Sequence, residues 1–219
     1  TLIPKICKIF REENEELTGF ENEEIFAEYQ IYKTPGYVYM KGNIQIYSAG
    51  KQAADISAFP EGIAVAVGSE EDVPDICPDQ TIDKVFTIEN LTSFYRFKQE
   101  HSLVIYLGGY HNHSRRNLLM QIYQKLPDAQ YYHFGDLDAG GFYILEHLKR
   151  KTGIPFQMFQ MDIETLKKYE DYAKPLTEND KKRLMQLEKM ELPDEERKLI
   201  TYMLQKGIKL EQECISESQ

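Results

Sequence analysis

Residues 129–150 read AQYYHFGDLDAGGFYILEHLKR, and the change of pattern within this stretch decides the fold class. Residues 129–134 form a short apolar run that favours a buried strand. The glycines that follow permit a tight turn. After the turn, Phe142, Leu145 and Leu148 recur at the spacing of one helix face. A strand that leads directly into an amphipathic helix is one half of a βαβ unit.

The same rhythm extends to both sides of this stretch. Further strand-like runs are KVFTI at 84–88, LVIYL at 103–107 and FQMFQM at 156–161. Helical segments are predicted between them at about 90–99, 112–126 and 141–152. Strands that alternate with helices of this length predict an α/β fold, with a Rossmann-like, mostly parallel sheet and flanking helices.

The two ends of the chain follow other patterns. We expect a small α+β region before the sheet, with a helix at 21–31, a hairpin of strands 37–40 and 44–47, and a strand at 62–67. From about residue 162 onward the pattern predicts only helices and a frayed polar end, ECISESQ. The predicted domains are therefore 1–80, an acidic N-terminal α+β region, 81–175, the α/β domain with the parallel sheet, and 176–219, a helical C-terminal extension.

Composition narrows the classes of protein. The 219 residues are 42% hydrophobic and 28% charged, which is typical of a globular protein. No apolar run reaches the roughly 18 residues of a membrane span, and no secretory signal is visible. Three widely spaced cysteines form neither a disulfide framework nor a CxxC metal motif, which predicts a reducing cytoplasmic location.

The net charge of −10 argues at first against a nucleic-acid partner. Its distribution weakens that objection. Residues 1–80 carry 6 basic and 15 acidic residues, whereas residues 95–151 carry 8 basic and 5 acidic ones. A DNA-facing surface in the second segment is therefore compatible with the sequence, although we expect the chain alone to bind DNA weakly.

Three carboxylates follow predicted strands at the point where each strand ends. Glu89 comes directly after KVFTI, and Asp136 and Asp138 follow the strand that ends at Phe134. Ligands of parallel α/β sheets gather at this edge, and alternate residues of an extended segment point the same way. Clustered carboxylates without His or Cys favour Mg²⁺ or Mn²⁺ and hence phosphoryl chemistry. The weaker interpretation is that Asp and Gly are ordinary turn residues.

The order of these motifs resembles the Toprim domain, which topoisomerases, bacterial primases and several nucleases share. The matching elements are TIEN after the first strand, YLGG after the second and DLDAGG after the third, within about residues 82–165. The runs TIENLTSFYRF, YYHFGDLDAGGFYILEHLKRKTG and MDIETLKKYEDYAKPL are similar, more narrowly, to the C-terminal domain of the nuclease subunit of Wadjet anti-plasmid systems.

This resemblance implies a metal-dependent endonuclease that cuts double-stranded plasmid DNA together with a condensin-like complex. It implies that Glu89, Asp136 and Asp138 are the catalytic metal-binding carboxylates. One active centre would cut one strand, so we expect a homodimer for a double-strand break. Members of the family usually carry an N-terminal arm region ahead of this part. The rival hypothesis is a Toprim-like module that docks DNA or protein without cutting.

Four further sites have two interpretations each. Gly109, Arg115 and Arg116 could receive a DNA phosphate at the start of a helix, or could belong to a solvated helix start. Asp162 is either an additional acidic site residue or a helix N-cap. His111 and His113 favour surface positions over a metal site. The basic trio at 149–151 favours a solvated helix end.

Overall fold

The computed structural model describes residues 2–14, 25–26, 36–67, 75–108 and 113–215. The chain divides into two compact units, residues 1–35 and residues 36–219. The first unit contains helix α1, Leu2–Glu13, and a small cluster in which Cys7 and Ile25 are buried. Most of the helix predicted at 21–31 lies outside the described residues, although Ile25 and Phe26 are helical.

The second unit contains the remaining described elements. Its strands are β1 Gly36–Lys41, β2 Ile44–Ser48, β3 Lys51–Asp55, β4 Ile63–Val67, β5 Asp75–Pro78, β6 Lys84–Ile88, β7 Ser102–Tyr106, β8 Gln130–Phe134, β9 Gln157–Met158, β10 Lys174–Pro175 and β11 Ile208–Lys209. Its helices are α2 Leu91–Arg96, α3 His113–Lys125, α4 Ala139–Thr152, α5 Ile163–Lys168, α6 Glu178–Leu187 and α7 Asp194–Lys206. Short 3₁₀ helices occupy Ile56–Ala58, Glu170–Tyr172 and Gln212–Cys214.

The central sheet has six strands in the order β4-β1-β7-β6-β8-β9. Strands β7, β6, β8 and β9 are parallel, while β1 pairs antiparallel with both β4 and β7. Helices α2, α3 and α4 follow β6, β7 and β8 in the chain. The predicted mixed α/β fold with a mostly parallel sheet is therefore confirmed, and helices follow it at the C-terminal end.

The predicted hairpin of strands 37–40 and 44–47 is wrong. Strand β1 belongs to the central sheet, whereas β2 belongs to a separate three-stranded sheet in the order β3-β2-β5. The chain crosses between the two sheets at Gly42, which has a φ of 133°. A Cβ on Gly42 would lie 2.5 Å from the carbonyl oxygen of Ser102, so the crossing requires glycine. The chain does turn at this glycine, but the strands on either side of it pair with partners that are distant in sequence.

The sheet separates two hydrophobic clusters, because successive side chains of a strand point to opposite faces. In β6, Val85 belongs to one cluster and Phe86 to the other. The first cluster also contains Leu118, Leu119 and Ile122 of α3. The second includes residues from α2 and from the C-terminal helices α6 and α7. The C-terminal helices therefore share a core with the strands that carry the predicted site.

Strands from both sides of residue 80 share the central sheet, since β1 and β4 precede that residue and β6 to β9 follow it. The functional division at residues 80 and 175 stays a prediction. The strand expected at 62–67 is present as β4, and the run at 156–161 forms only the two-residue β9. The C-terminal part is mostly helical but contains β10 and β11, which pair antiparallel.

A bilayer crossing demands a helix that is both long and apolar. Among the helices of the described ranges, none combines the two properties.

Candidate metal and phosphate site

The candidate site lies where the parallel strands β6 and β8 end. Their register pairs Ile88 with Phe134, the last residue of each strand. One residue further on, the backbone N–H of Glu89 donates a hydrogen bond to the carbonyl oxygen of Phe134 at 3.0 Å. The loops that carry Glu89 and Asp136 therefore start side by side at the carboxyl edge of the sheet, where the sequence predicts them.

Gly135 permits a close approach between the two loops. A Cβ at this position would lie 2.8 Å from Oε2 of Glu89 and 2.8 Å from Nε2 of His133. Oε2 of Glu89 is buried and has no hydrogen-bond partner among the described residues. A buried carboxylate oxygen is costly to leave unpaired, so a cation or a proton at this atom would stabilise the site.

Asp138 ends the loop and begins helix α4. Its Oδ1 accepts a hydrogen bond from the backbone N–H of Gly141 at 2.9 Å, which makes Asp138 the N-cap of the helix. A Cβ on Gly141 would lie 2.2 Å from the carbonyl oxygen of Asp136, so the turn requires glycine there. One oxygen of Asp138 is thus fixed by the helix, and the carboxylate keeps a second oxygen for a ligand.

Asp136 contacts the C-terminal segment of the chain. Its Oδ1 accepts a hydrogen bond from the backbone N–H of Gln212 at 2.7 Å. The side chain of Gln212 accepts from the backbone N–H of Asn90 at 2.8 Å and donates to the carbonyl oxygen of Phe134 at 3.1 Å. Asn90 in turn donates its side-chain amide to Glu213. Residues that are more than a hundred positions apart in sequence therefore meet at the site.

The electrostatics of the site favour protons or cations. Burial, together with the negative charges of Asp136 and Asp138, raises the pKa of Glu89 to about 7, although the hydrogen bond from the backbone N–H of Asp136 opposes the shift. Burial also raises the pKa of Asp136, against the hydrogen bond from Gln212 and with the help of neighbouring carboxylates. Repulsion among neighbouring carboxylates is the usual environment of a divalent metal site.

The donor set fits a hard divalent cation only in part. The three carboxylates supply oxygen ligands, and Glu89 has a buried oxygen without a partner. Among the described residues, however, no group of three or more His, Cys, Asp or Glu side chains is close enough to hold a metal ion. Mg²⁺ commonly uses one or two carboxylates and completes its shell with waters and phosphate oxygens. The arrangement suits that mode of binding rather than a closed protein cage.

The residues predicted to hold a phosphate are only partly described. Gly109 and His111 lie outside the described residues, as does the side chain of His113. The guanidinium of Arg115 donates to the carbonyl oxygen of Tyr37 at 3.4 Å, and burial lowers its pKa. Burial lowers the pKa of His147, and the nearby positive charge of Arg116 lowers it further. A phosphate role for Gly109, Arg115 and Arg116 stays a prediction.

Asp162 and the basic trio at 149–151 each had two predicted roles, and the structure places all four residues at helix ends. Asp162 is the N-cap of helix α5, because its Oδ1 accepts from the backbone N–H of Thr165 at 2.7 Å. In the last turn of helix α4, Arg150 is exposed as predicted for a solvated helix end. Lys149 is partly buried and forms ion pairs with Glu146 at 2.9 Å and with the buried Glu196. Lys151 of the same trio is exposed. The apolar spacing predicts this helix correctly but does not reveal the partner on α7.

The sequence did not point to Gln212, Asn90 or Glu213 as site residues. Gln212 and Cys214 belong to a 3₁₀ helix, and Ile215 is buried, so the prediction of a frayed end at 213–219 is wrong for its first three residues. Residues 216–219 lie outside the described residues. The apolar Ile215 within a polar run is the one local indication that this segment packs against the rest of the chain.

The part of the chain that carries the site is similar to proteins of a known family. A family model described as "Wadjet protein JetD, C-terminal" matches residues 72–219. The chain belongs to this family. It is 30% identical over 183 residues to the Wadjet protein JetD of Bacillus cereus (strain Q1), a match that covers 81% of this chain and 44% of that relative. The chain thus spans less than half the length of the relative, and the Wadjet resemblance inferred from the motifs is confirmed.

Proposed function

We propose that this chain is the catalytic part of a Mg²⁺- or Mn²⁺-dependent endonuclease of the Toprim type that hydrolyses phosphodiester bonds in plasmid DNA. The observation that carries the proposal is the position of Glu89 beside Asp136 at the ends of neighbouring parallel strands. The buried oxygen of Glu89 without a partner supports it, and so does the family membership. We infer the role in anti-plasmid defence from membership of that family.

The three carboxylates supply the metal-binding groups of this proposal. Glu89, Asp136 and Asp138 would hold one or two cations between them, each bound by one or two of the carboxylates and completed by water and phosphate oxygens. A bound cation would neutralise phosphate charge and lower the pKa of an attacking water. Without a cation the pKa of Glu89 is raised to about 7, mainly by burial, so Glu89 would serve either as a general base that exchanges a proton near neutral pH or as a static metal ligand. Asp138 is oriented by the backbone N–H of Gly141, which reduces its freedom to turn away.

Partners extend the proposal beyond this chain. Double-stranded plasmid DNA is the proposed substrate, and a condensin-like complex supplies recognition and timing. Two copies of the chain would supply two active centres for a double-strand break. Light scattering after size-exclusion chromatography measures this directly: a mass of one chain at all concentrations would contradict the dimer. The cytoplasmic location remains part of the proposal.

Metal binding and plasmid cleavage test the function. We expect calorimetry to detect Mn²⁺ binding by the wild type and a loss of at least about tenfold in affinity, or about 1.4 kcal/mol, in Asp136→Asn. Supercoiled plasmid should be nicked or linearised in Mn²⁺, and Glu89→Gln should abolish this. Asp162→Asn, at a helix cap without site carboxylates, is the matched control. Absence of Mn²⁺ binding at millimolar concentration would remove the basis of the proposal.

A second candidate is a Toprim-like module that binds DNA or protein without cutting it. It is favoured by the finding that no described group of three metal-binding side chains is close enough to hold a metal ion. The two functions differ in the behaviour of the wild type and of Glu89→Gln. If the chain is a nuclease, the wild type cleaves plasmid DNA and Glu89→Gln does not. If the chain is a docking module, both proteins bind plasmid DNA and neither cleaves it at any metal concentration, alone or with the partner complex.

A further inference from the structure

We propose that Gln212 is a positioning residue that holds the loops of Glu89 and Asp136 at a fixed separation, so that their carboxylates can share one divalent cation. The inference rests on the proposed metal site and names a residue that orders it. Gln212 is fully buried. Three of its hydrogen bonds reach the loops of the site, to Asp136 through its backbone N–H and to Asn90 and Phe134 through its side chain.

The position of these bonds determines what they hold. Asn90 directly follows Glu89, and Phe134 lies two residues before Asp136. The amide of Gln212 therefore bridges the two strand ends from which the carboxylates project. Its backbone N–H then fixes one oxygen of Asp136 itself. A single residue thus contacts both loops and one of the two carboxylates.

The chemistry of the bridge selects glutamine. The side chain accepts from an N–H at Asn90 and donates to a C=O at Phe134, and an amide is a group that has both an acceptor and donors. Glutamate would place a second acceptor against the carbonyl oxygen. Methionine has a similar length but would leave both backbone groups unpaired in a buried place. The bridge is therefore specific to the amide and is not a packing contact alone.

The hydrogen bonds of Gln212 counteract the repulsion between the carboxylates on either side of it. Glu211 and Glu213 flank Gln212, whose backbone N–H binds Asp136, so without a cation the carboxylates of the segment at 211–213 and of the Asp136 loop repel each other. The neutral hydrogen bonds of Gln212 hold the two together despite that repulsion. The paired backbone of Leu137 and Leu210, with N–H to O distances of 2.9 and 3.1 Å, anchors the same segment independently. A change at the Gln212 side chain should therefore leave the segment attached.

The test compares Gln212→Met with Leu199→Ala, a variant of a buried residue in helix α7 of the same core. The probes are Mn²⁺ affinity by calorimetry and, without metal, the hydrogen-exchange protection of the Asn90 amide. The amide of Leu107, bonded to Ile88 at 2.8 Å, is the internal reference. We expect Gln212→Met to weaken Mn²⁺ binding about tenfold and to expose Asn90 selectively, whereas Leu199→Ala lowers the melting temperature and keeps the affinity.

Each outcome decides the inference. An unchanged affinity and a protected Asn90 amide in Gln212→Met would overturn it, as would an equal loss of affinity in Leu199→Ala. If the wild type binds no Mn²⁺, the proposed nuclease function loses its basis, and the exchange measurement alone then decides whether Gln212 orders the loops. Should Gln212→Met fail to fold, Gln212→Asn is the second variant. Its side chain has the same amide but is one methylene shorter, so it cannot reach both partners, and we expect the same result.

Discussion

The backbone N–H of Glu89 donates a hydrogen bond to the carbonyl oxygen of Phe134 at 3.0 Å, one residue beyond the last paired residues of their strands. This bond extends the parallel register of β6 and β8 into the loops. It brings Glu89 beside Gly135, where the space for a side chain is already filled. The geometry of the site therefore depends on the register of two strands and on a missing Cβ.

Gly135→Ala should weaken the site. The added Cβ would meet Oε2 of Glu89 and Nε2 of His133 at 2.8 Å, so the Glu89 side chain must move. We expect a loss of about 1–3 kcal/mol in the free energy of unfolding, measured in urea, together with weaker Mn²⁺ binding. Gly153→Ala is the control, since it strains a positive φ at a helix end and contacts nothing. Equal effects of both variants on Mn²⁺ affinity would contradict the prediction.

The stability of the metal-free protein should fall as the pH rises from about 4.5 to about 7. The pKa of Glu89 is raised from its ordinary 4.5 to about 7, so in this window the folded chain holds a proton that the unfolded chain has released. The contribution of Glu89 to stability is therefore largest below the unfolded pKa. Urea unfolding across this range measures the effect. Glu89→Gln should remove most of the slope, and an unchanged slope in that variant would assign the effect to other groups.

Asp138→Asn and Asp162→Asn separate a helix cap from a metal ligand. Both residues are N-caps that accept from a backbone N–H, at 2.9 and 2.7 Å, and asparagine caps a helix about as well as aspartate. We expect both variants to unfold within about 0.5 kcal/mol of the wild type. Calorimetry should show weaker Mn²⁺ binding for Asp138→Asn alone. Unchanged affinity in that variant would remove Asp138 from the ligand set.

Lys149→Met should destabilise the core more than a surface change does. The variant leaves the carboxylate of Glu196, with 4% of its side chain exposed, without its cation. Loss of one partner of a buried pair costs about 3–5 kcal/mol, and we expect chemical denaturation to give a value in that range. Lys181→Ala removes an exposed pair with Glu178 and should cost less than about 0.5 kcal/mol.

The double variant Lys149→Met with Glu196→Met checks the cause. It removes both charges of the buried pair and leaves Glu146, with 18% of its side chain exposed, without the lysine, so it should recover most of the stability that Lys149→Met loses. A double variant as unstable as the single one would show that packing of the lysine stem, and not the unpaired carboxylate, is responsible.

Local patterns in the sequence predicted much of the fold. Strands such as KVFTI and the helix after DLDAGG have clear apolar spacing, and each forms close to its expected bounds. The strand partners of β1 and β2 were not predictable in this way. Tyr37–Met40 and the next strand have the pattern of a hairpin, yet β1 pairs with Ile105 and Val104 of a strand sixty residues away. Pairing of that kind depends on tertiary packing, which no local spacing records.

The same limit applies to the site. The positions of Glu89, Asp136 and Asp138 after strands indicated that they would lie at one edge of the sheet, and they do. The residues that surround them, Asn90 and Gln212, are 122 positions apart, and Gln212 stands in a polar run with no regular spacing. Hydrogen-bond partners across that distance are set by how α7 and β11 pack, and so they emerge only from the three-dimensional structure.

The distance in sequence between the carboxylates and Gln212 also sets an order of events during synthesis. The chain is synthesised from its N-terminus, so the strands that carry Glu89 and Asp136 leave the ribosome before residue 212 has been added. The nascent chain therefore contains the acidic loops for a time without the bonds that hold them together. A chain that stops before residue 212 would retain all three carboxylates but lack the hydrogen bonds through which Gln212 joins their loops.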